Sequence, residues 1–229
     1  MTRALHRRSF LRVAGAAAAS SALVLAGCGD DPDDPAPSTG TGTLSFGQND
    51  TGILNYAYLL EQIEAAFYDK VVATPPADLR PGELDLLKDI RDHELIHREF
   101  LKYALGSNAY DNNQTALEFN FSSLTLGTRQ GVWSAAQQFE DLGVAAYNGA
   151  AKLLSTSADT GLRYLTLLGK IASVEARHAA VAHEALQAGT FAAPVDAAGL
   201  DAAKTPAEVV AVIQPFVPVT ISVVSLPTA

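Results

Sequence analysis

The chain has 229 residues, of which 48% are apolar, so it can bury one sizeable core and is not an intrinsically disordered protein. Its 16 basic and 25 acidic residues give a formal charge of -9 at pH 7, and no basic patch interrupts this balance. The composition therefore argues against nucleic acid or an anionic membrane surface as a partner.

Residues 1–28 have the order of an export signal and not of a folded element. A basic stretch contains the pair Arg7–Arg8, and an apolar run from Val13 to Ala26 follows it. This run is shorter than the ~20 residues that span a bilayer, which favours a cleaved signal. The two arginines followed by large apolar residues resemble the signal of the twin-arginine export pathway.

The apolar run ends in "LAGC", which contains Cys28, the only cysteine of the chain. A small buried thiol is the alternative interpretation, but the sequence resembles the lipobox of bacterial lipoproteins, whose cysteine becomes lipidated. The resemblance implies an exported lipoprotein anchored on the extracytoplasmic side of a membrane. Residues 29–52, rich in Asp, Pro, Gly, Ser and Thr, are predicted to form a flexible linker.

Residues 53–188 show helical periodicity and predict four long helices. Their expected positions are about 54–72, 82–105, 128–154, and from 157 or 159 to 187, with Asp50 or Thr51 capping the first. The connection of about 20 residues between the second and third helices is long for a compact domain. It can cross the length of a bundle, because 20 extended residues reach ~65 Å.

Residues 189–229 form a C-terminal extension. A capping-box pattern at Thr205 and Glu208 predicts a short helix, and the β-branched stretch "FVPVTISVV" predicts an extended segment. The elements together predict an all-α fold, an antiparallel four-helix bundle with one long crossover connection and a short C-terminal extension.

Two of the five histidines follow a glutamate at a spacing of three residues. The pairs are Glu94 with His97 in the second helix, and Glu175 with His178 in the fourth. Residues i and i+3 point to one side of a helix, so each pair can offer a carboxylate and an imidazole to the same point.

The first and third helices share another pattern, in which a tyrosine follows a glutamate by seven residues. The pairs are Glu61 with Tyr68, and Glu140 with Tyr147. Seven residues are nearly two helical turns, so the members of each pair lie on one face, and that face is otherwise apolar. All four helices therefore direct a glutamate into the core.

Four ionised carboxylates in a dry core are costly unless they are neutralised. Two divalent cations balance four negative charges. Oxygen ligands with one imidazole for each ion suit iron or manganese better than a structural zinc site.

The six residues match the ligand set of ferritin-like di-metal carboxylate proteins, which is the set known for this bundle fold. The motifs "YLLEQIEAAFY", "EDLGVAAYNGAAKLL" and "VEARHAAVAHEAL" resemble an exported ferritin-like family with desiccation-related and rubrerythrin-like relatives. The resemblance implies two iron ions, or alternatively two manganese ions, as cofactors. It also implies that Tyr68 and Tyr147 lie next to the ligands and take part in catalysis.

Three other ionisable residues are predicted to lie outside the site. Glu64, one turn from Glu61, is expected to be solvated, as a flanking glutamate on a helix usually is, and the alternative is that it rotates into the site. His93 and His183 are expected at the surface or between helices, since neither shares the direction of the predicted ligands.

Two classes of function remain open. One is redox enzymology in stress protection: a peroxidase or ferroxidase that uses hydrogen peroxide or oxygen and an external electron donor, or a manganese catalase that needs no donor. The other is a non-catalytic protein of the cell envelope that binds metal or has a structural role. The sequence leaves a homo-oligomer open.

Overall fold

The structure, a computed structural model, describes residues 42–111, 116–156, 159–192, 195–196 and 198–228. The predicted signal peptide and Cys28 lie outside these residues. The described elements are β1 (Thr43–Ser45), α1 (Asn49–Ala73), α2 (Glu83–Leu105), α3 (Arg129–Ala150), α4 (Asp159–Leu186), α5 (Pro206–Ile213) and β2 (Thr220–Ser222). Among the described helices, none is both long and apolar enough to cross a membrane.

The helices form two hairpins, in which α1 packs mainly on α2 and α3 mainly on α4. The central helix is α1, whose residues are buried without interruption from Gly52 to Glu61. In contrast, α2 buries only a narrow stripe, because its other faces are rich in charged residues. The predicted all-α four-helix bundle is confirmed.

The described parts of the connection between α2 and α3 lie near both ends of α1. At one end, the backbone N–H of Tyr110 donates to Asn55 Oδ1 at 2.8 Å, near the start of α1. At the other end, the backbone N–H of Arg129 donates to Asp78 Oδ1 at 2.8 Å, just after α1. Between them, the side chain of Phe121 is buried in the core. The predicted crossover connection is therefore present.

Regular structure is present within the last residues of the predicted linker. The predicted linker extends to residue 52, but β1 already pairs in parallel with β2, with Leu44 opposite Ile221. Leu44 and Phe46 are completely buried. Helix α1 then begins at Asn49, before both predicted caps, and Asp50 instead accepts a hydrogen bond from the backbone of Ser155 at 2.8 Å. Burial against distant parts of the chain thus outweighs the local turn-forming composition.

The C-terminal extension packs against the bundle through α5. Thr205 and Glu208 form the predicted capping box at its start. The buried side chains of Val209 and Ile213 attach the helix to the core. The described part of the extension therefore packs on the bundle, and the groups of potential metal ligands include none of its side chains.

Candidate metal centre

Each long helix contributes one fully buried glutamate near its middle. These glutamates are Glu61 of α1, Glu94 of α2, Glu140 of α3 and Glu175 of α4, each with 0% exposure. They are buried because every one of them continues an apolar stripe that the helix must turn toward its neighbours. Two histidines, His97 and His178, are also buried, one turn after Glu94 and Glu175.

The six side chains form two groups of four, and in each group the potential ligand atoms lie within 4.8 Å of one another. The first group is Glu61, Glu94, His97 and Glu175; the second is Glu94, Glu140, Glu175 and His178. Glu94 and Glu175 belong to both groups. Each can therefore offer one oxygen to either side, as bridging carboxylates do between two ions.

The first group is arranged around Nδ1 of His97. This atom lies 3.0 Å from Glu175 Oε1, 3.3 Å from Glu61 Oε2 and 3.4 Å from Glu94 Oε2. The three oxygens belong to three different helices, so the cluster joins α1, α2 and α4.

The second group repeats the arrangement around Nδ1 of His178. This atom lies 2.6 Å from Glu94 Oε1, 3.6 Å from Glu140 Oε2 and 3.8 Å from Glu175 Oε2. The two groups are equivalent when the two helical hairpins are interchanged. Glu61 of α1 and His97 of α2 in the first group then correspond to Glu140 of α3 and His178 of α4 in the second.

Two tyrosines hold Glu61 and Glu140, the glutamates that are not shared between the two groups. The hydroxyl of Tyr68 donates to Glu140 Oε1, and the hydroxyl of Tyr147 donates to Glu61 Oε1. Burial and the nearby carboxylate charges raise the pKa of both tyrosines well above the usual range, so both hydroxyls stay protonated. Each hydrogen bond leaves Oε2 of its glutamate directed to the histidine of its group.

The atoms that face one another lack ordinary hydrogen bonds. Among the described residues, no hydrogen-bond partner is present for Oε2 of Glu61 and Glu140, for either carboxylate oxygen of Glu94 and Glu175, or for Nδ1 of His97 and His178. Ion-pair contacts, such as that of His178 Nδ1 with Glu94 Oε1 at 2.6 Å, compensate for this burial only in part, because four buried carboxylates face two imidazoles. Ions between them would satisfy all of these atoms at once, so the donor set fits two divalent metals such as iron or manganese.

Without metal, the cluster retains protons. Burial alone would lower the pKa of His97 and His178, but the surrounding carboxylates raise each to about 12. Burial and neighbouring charge raise the pKa of Glu94 well above its usual range, and burial raises that of Glu140 to about 7. Glu175 differs, because contacts with both imidazoles outweigh burial and lower its pKa to about 2.

Glu64 lies in the site, and the prediction that it is solvated is wrong. Its side chain is only 3% exposed, and burial together with the charges of Glu175 and Glu61 raises its pKa well above the usual range. The opposing helix makes room for it, because a Cβ atom at Gly143 would lie 2.9 Å from Glu64 Oε1. A glutamate at the flank of a stripe cannot reach water here, since α1 is buried at this level except at the half-buried Gln62 and Ala66.

The two other described histidines lie at the surface and between helices, outside the two groups of potential ligands. His183 lies between helices, with Nε2 2.8 Å from Asp141 Oδ1. His93 is exposed, but its Nδ1 lies 2.9 Å from Nε2 of His178. The helical phase alone gave no sign of this contact, because it depends on how closely α2 and α4 approach.

Comparison with known proteins supports the bundle. A family model described as a ferritin-like domain matches residues 49–188, which include all four long helices. A search of curated proteins found no match. The family match covers more than half of the 229 residues, and the chain therefore belongs to the ferritin-like domain family.

Proposed function

We propose that this protein binds two iron ions, or alternatively two manganese ions, and reacts with hydrogen peroxide or oxygen, or oxidises ferrous iron, in protection against stress. The observation that carries the proposal is the sharing of Glu94 and Glu175 between two buried four-residue groups. A site for one ion needs no shared carboxylates. Two shared carboxylates at the centre of a symmetric cluster are expected for a pair of ions.

The six ligands divide into two equal sets in this proposal. Glu61 and His97 would hold one ion, Glu140 and His178 would hold the other, and the remaining two glutamates would bridge them. When bound, the ions would supply Lewis acidity and the capacity to exchange electrons with an oxidant. The protein would supply the geometry, the charge balance and the exclusion of bulk water.

Three side chains next to the ligands would control their orientation and protonation. Tyr68 and Tyr147 hold Glu140 and Glu61 by hydrogen bonds and remain protonated. Because a tyrosine has a single O–H group, either hydroxyl would have to release its glutamate before it could donate a hydrogen bond to a small oxidant. Glu64 is buried next to the cluster and has a raised pKa, so it is placed to hold a proton there.

An external reductant would be required for peroxidase activity. The only cysteine of the sequence is Cys28, so this chain has no four-cysteine iron site for electron delivery. A manganese catalase would need no reductant, because peroxide both donates and accepts electrons in that reaction.

We place this chemistry outside the cytoplasm. The basis is the sequence of residues 1–28, with its paired arginines and the lipobox-like cysteine. A lipid anchor followed by a polar linker would hold the bundle near a membrane surface and leave the site free to meet small oxidants.

The experiment that tests the proposal is metal analysis of the full chain, followed by optical spectra during addition of hydrogen peroxide. We expect two metal ions per chain and a spectral change on oxidation. Turnover of peroxide without a reductant indicates a catalase, and turnover only with a reductant indicates a peroxidase. A protein that binds fewer than two ions when both iron and manganese are offered would contradict the proposal.

A second candidate function is metal binding without catalysis, in which the ions stabilise the fold or are sequestered. The observation that favours it is the complete burial of all four glutamates, which limits access of a substrate. This candidate predicts two bound ions and no spectral change or turnover with peroxide. The same experiment therefore separates the two functions.

A further inference from the structure

The two halves of the centre differ at Nε2 of their histidines, the ring nitrogen that faces away from the carboxylates. Nδ1 of His93 lies 2.9 Å from Nε2 of His178, and the two rings stack with centroids 5.2 Å apart and an interplanar angle of 22°. The ring of His93 also lies near His97, but the centroids are 6.4 Å apart. In the part of the chain that the structure describes, no side chain makes a hydrogen bond to Nε2 of His97.

The direction of the hydrogen bond follows from metal binding. His178 faces the carboxylates through Nδ1, so this nitrogen must be free of hydrogen to bind an ion. The ring proton then lies on Nε2, and His178 donates to Nδ1 of His93. A ligand imidazole that donates in this way is held in one orientation and becomes more basic.

We infer that His93 is a positioning residue that makes the two metal positions unequal, so that the position of His178 binds its ion more tightly and fills first. The inference rests on the proposed function, since it requires two bound ions. It adds that an otherwise symmetric site is loaded in a fixed order. Loss of such a partner typically weakens metal binding ~10 to 100-fold, which is enough to separate two binding steps.

The chain offers suitable variants for a test. His93 is exposed, so His93→Ala should fold as the wild type does. His93→Asn is the conservative variant, because Oδ1 of Asn occupies nearly the position of Nδ1 and can accept the same hydrogen bond. Ile96→Ala is the control, since Ile96 lies on the same helix and is 62% exposed.

The experiment is anaerobic titration of the metal-free full chain with Fe²⁺, repeated with Mn²⁺. We expect two binding steps in the wild type and in Ile96→Ala. In His93→Ala the tighter step should weaken ~10 to 100-fold while the weaker step stays unchanged, and His93→Asn should recover most of the loss.

The outcomes separate this inference from the proposed function. A wild-type chain that binds two ions, together with a His93→Ala variant that binds them identically, overturns the role of His93 alone. Equal weakening of both steps, or no recovery in His93→Asn, shows a general structural effect and also overturns it. A wild-type chain that binds neither metal overturns the proposed centre and this inference with it.

Discussion

The hydroxyl of Tyr68 on α1 donates a hydrogen bond to Glu140 on α3. The reverse pair is also present, because Tyr147 on α3 donates to Glu61 on α1. Each hairpin thus supports a carboxylate of the other hairpin. The geometry of the centre therefore depends on the docking of the two hairpins, and not only on the individual helices.

Removal of either hydroxyl should loosen the glutamate that it holds. For Tyr68→Phe and Tyr147→Phe we expect metal affinity to fall ~10 to 100-fold, with similar effects because the two pairs are equivalent. Titration with Fe²⁺ measures the change, and Tyr103→Phe is the control because Tyr103 is 64% exposed. Unchanged affinity in both variants would show that the hydroxyls do not support the ligands.

Loss of a bridging carboxylate should affect both ions. Glu94→Ala and Glu175→Ala should each lower the metal content toward one or zero ions per chain, since each residue belongs to both groups. Glu61→Ala, which changes only one group, should retain one ion. Elemental analysis of the purified chains gives the answer, with the exposed Glu99→Ala as the control on α2. Two ions in both bridge variants would contradict the assignment.

Glu64 should make the metal-free protein less stable as the pH rises. Its pKa is raised in the folded state, so the folded chain keeps a proton that the unfolded chain releases above about pH 4.3. Stability then falls by about 1.4 kcal/mol per pH unit until the folded pKa is reached. Glu64→Gln should therefore raise the free energy of unfolding at pH 8 by at least about 1 kcal/mol and have little effect at pH 4.

Urea unfolding of metal-free protein at the two pH values measures this difference. Glu99→Gln serves as the control, because Glu99 is exposed. A stabilisation that is equal at pH 4 and pH 8 would mean that the titration of Glu64 is not its cause.

Metal loading should release protons. Both His97 and His178 have a pKa of about 12 in the metal-free site, so both are protonated at pH 7 and must lose a proton from Nδ1 to bind an ion. We expect at least about two protons per chain, and an affinity that increases with pH because protons compete with the metal. An indicator dye in weakly buffered solution counts them, and release of fewer than one proton would contradict this protonation state.

The proposed lipid anchor leads to a separate prediction. In cells that process the signal, Cys28→Ala should move the protein from the membrane fraction to the soluble extracytoplasmic fraction, because the acyl chains that hold it would be absent. Fractionation followed by immunodetection measures the shift, and mass spectrometry of the wild type should find lipid on Cys28. A wild-type protein without lipid would contradict the prediction.

The sequence was sufficient to predict the bundle and six residues of the candidate centre. These residues could be found because helical spacing is local: Glu94 and His97 share a side of α2 whatever surrounds it. Helix ends were predicted well where a local signal exists, as at Gly106 after α2, whose φ of 55° suits glycine.

Features that depend on distant packing could not be predicted in the same way. Glu64 was misplaced because its helical phase suggested a flank that reaches water, whereas α1 is buried at that level except at the half-buried Gln62 and Ala66. Two signals were present in the sequence: the nearly unbroken apolar run before Glu61, and Gly143, which is costly inside a helix unless a neighbour needs the space. The contact between His93 and His178 has no local signal at all.

The pairing of β1 with β2 also has a kinetic consequence. It joins the two ends of the described chain. There, Oγ of Ser45 lies 3.5 Å from Oγ of Ser225, although 180 positions separate the two residues in the sequence. Contacts of such long range require that most of the chain is already in place, because closing so large a loop early has an entropic cost without compensating contacts. We therefore expect this small sheet to form after the helices have docked and, on unfolding, to open before they separate.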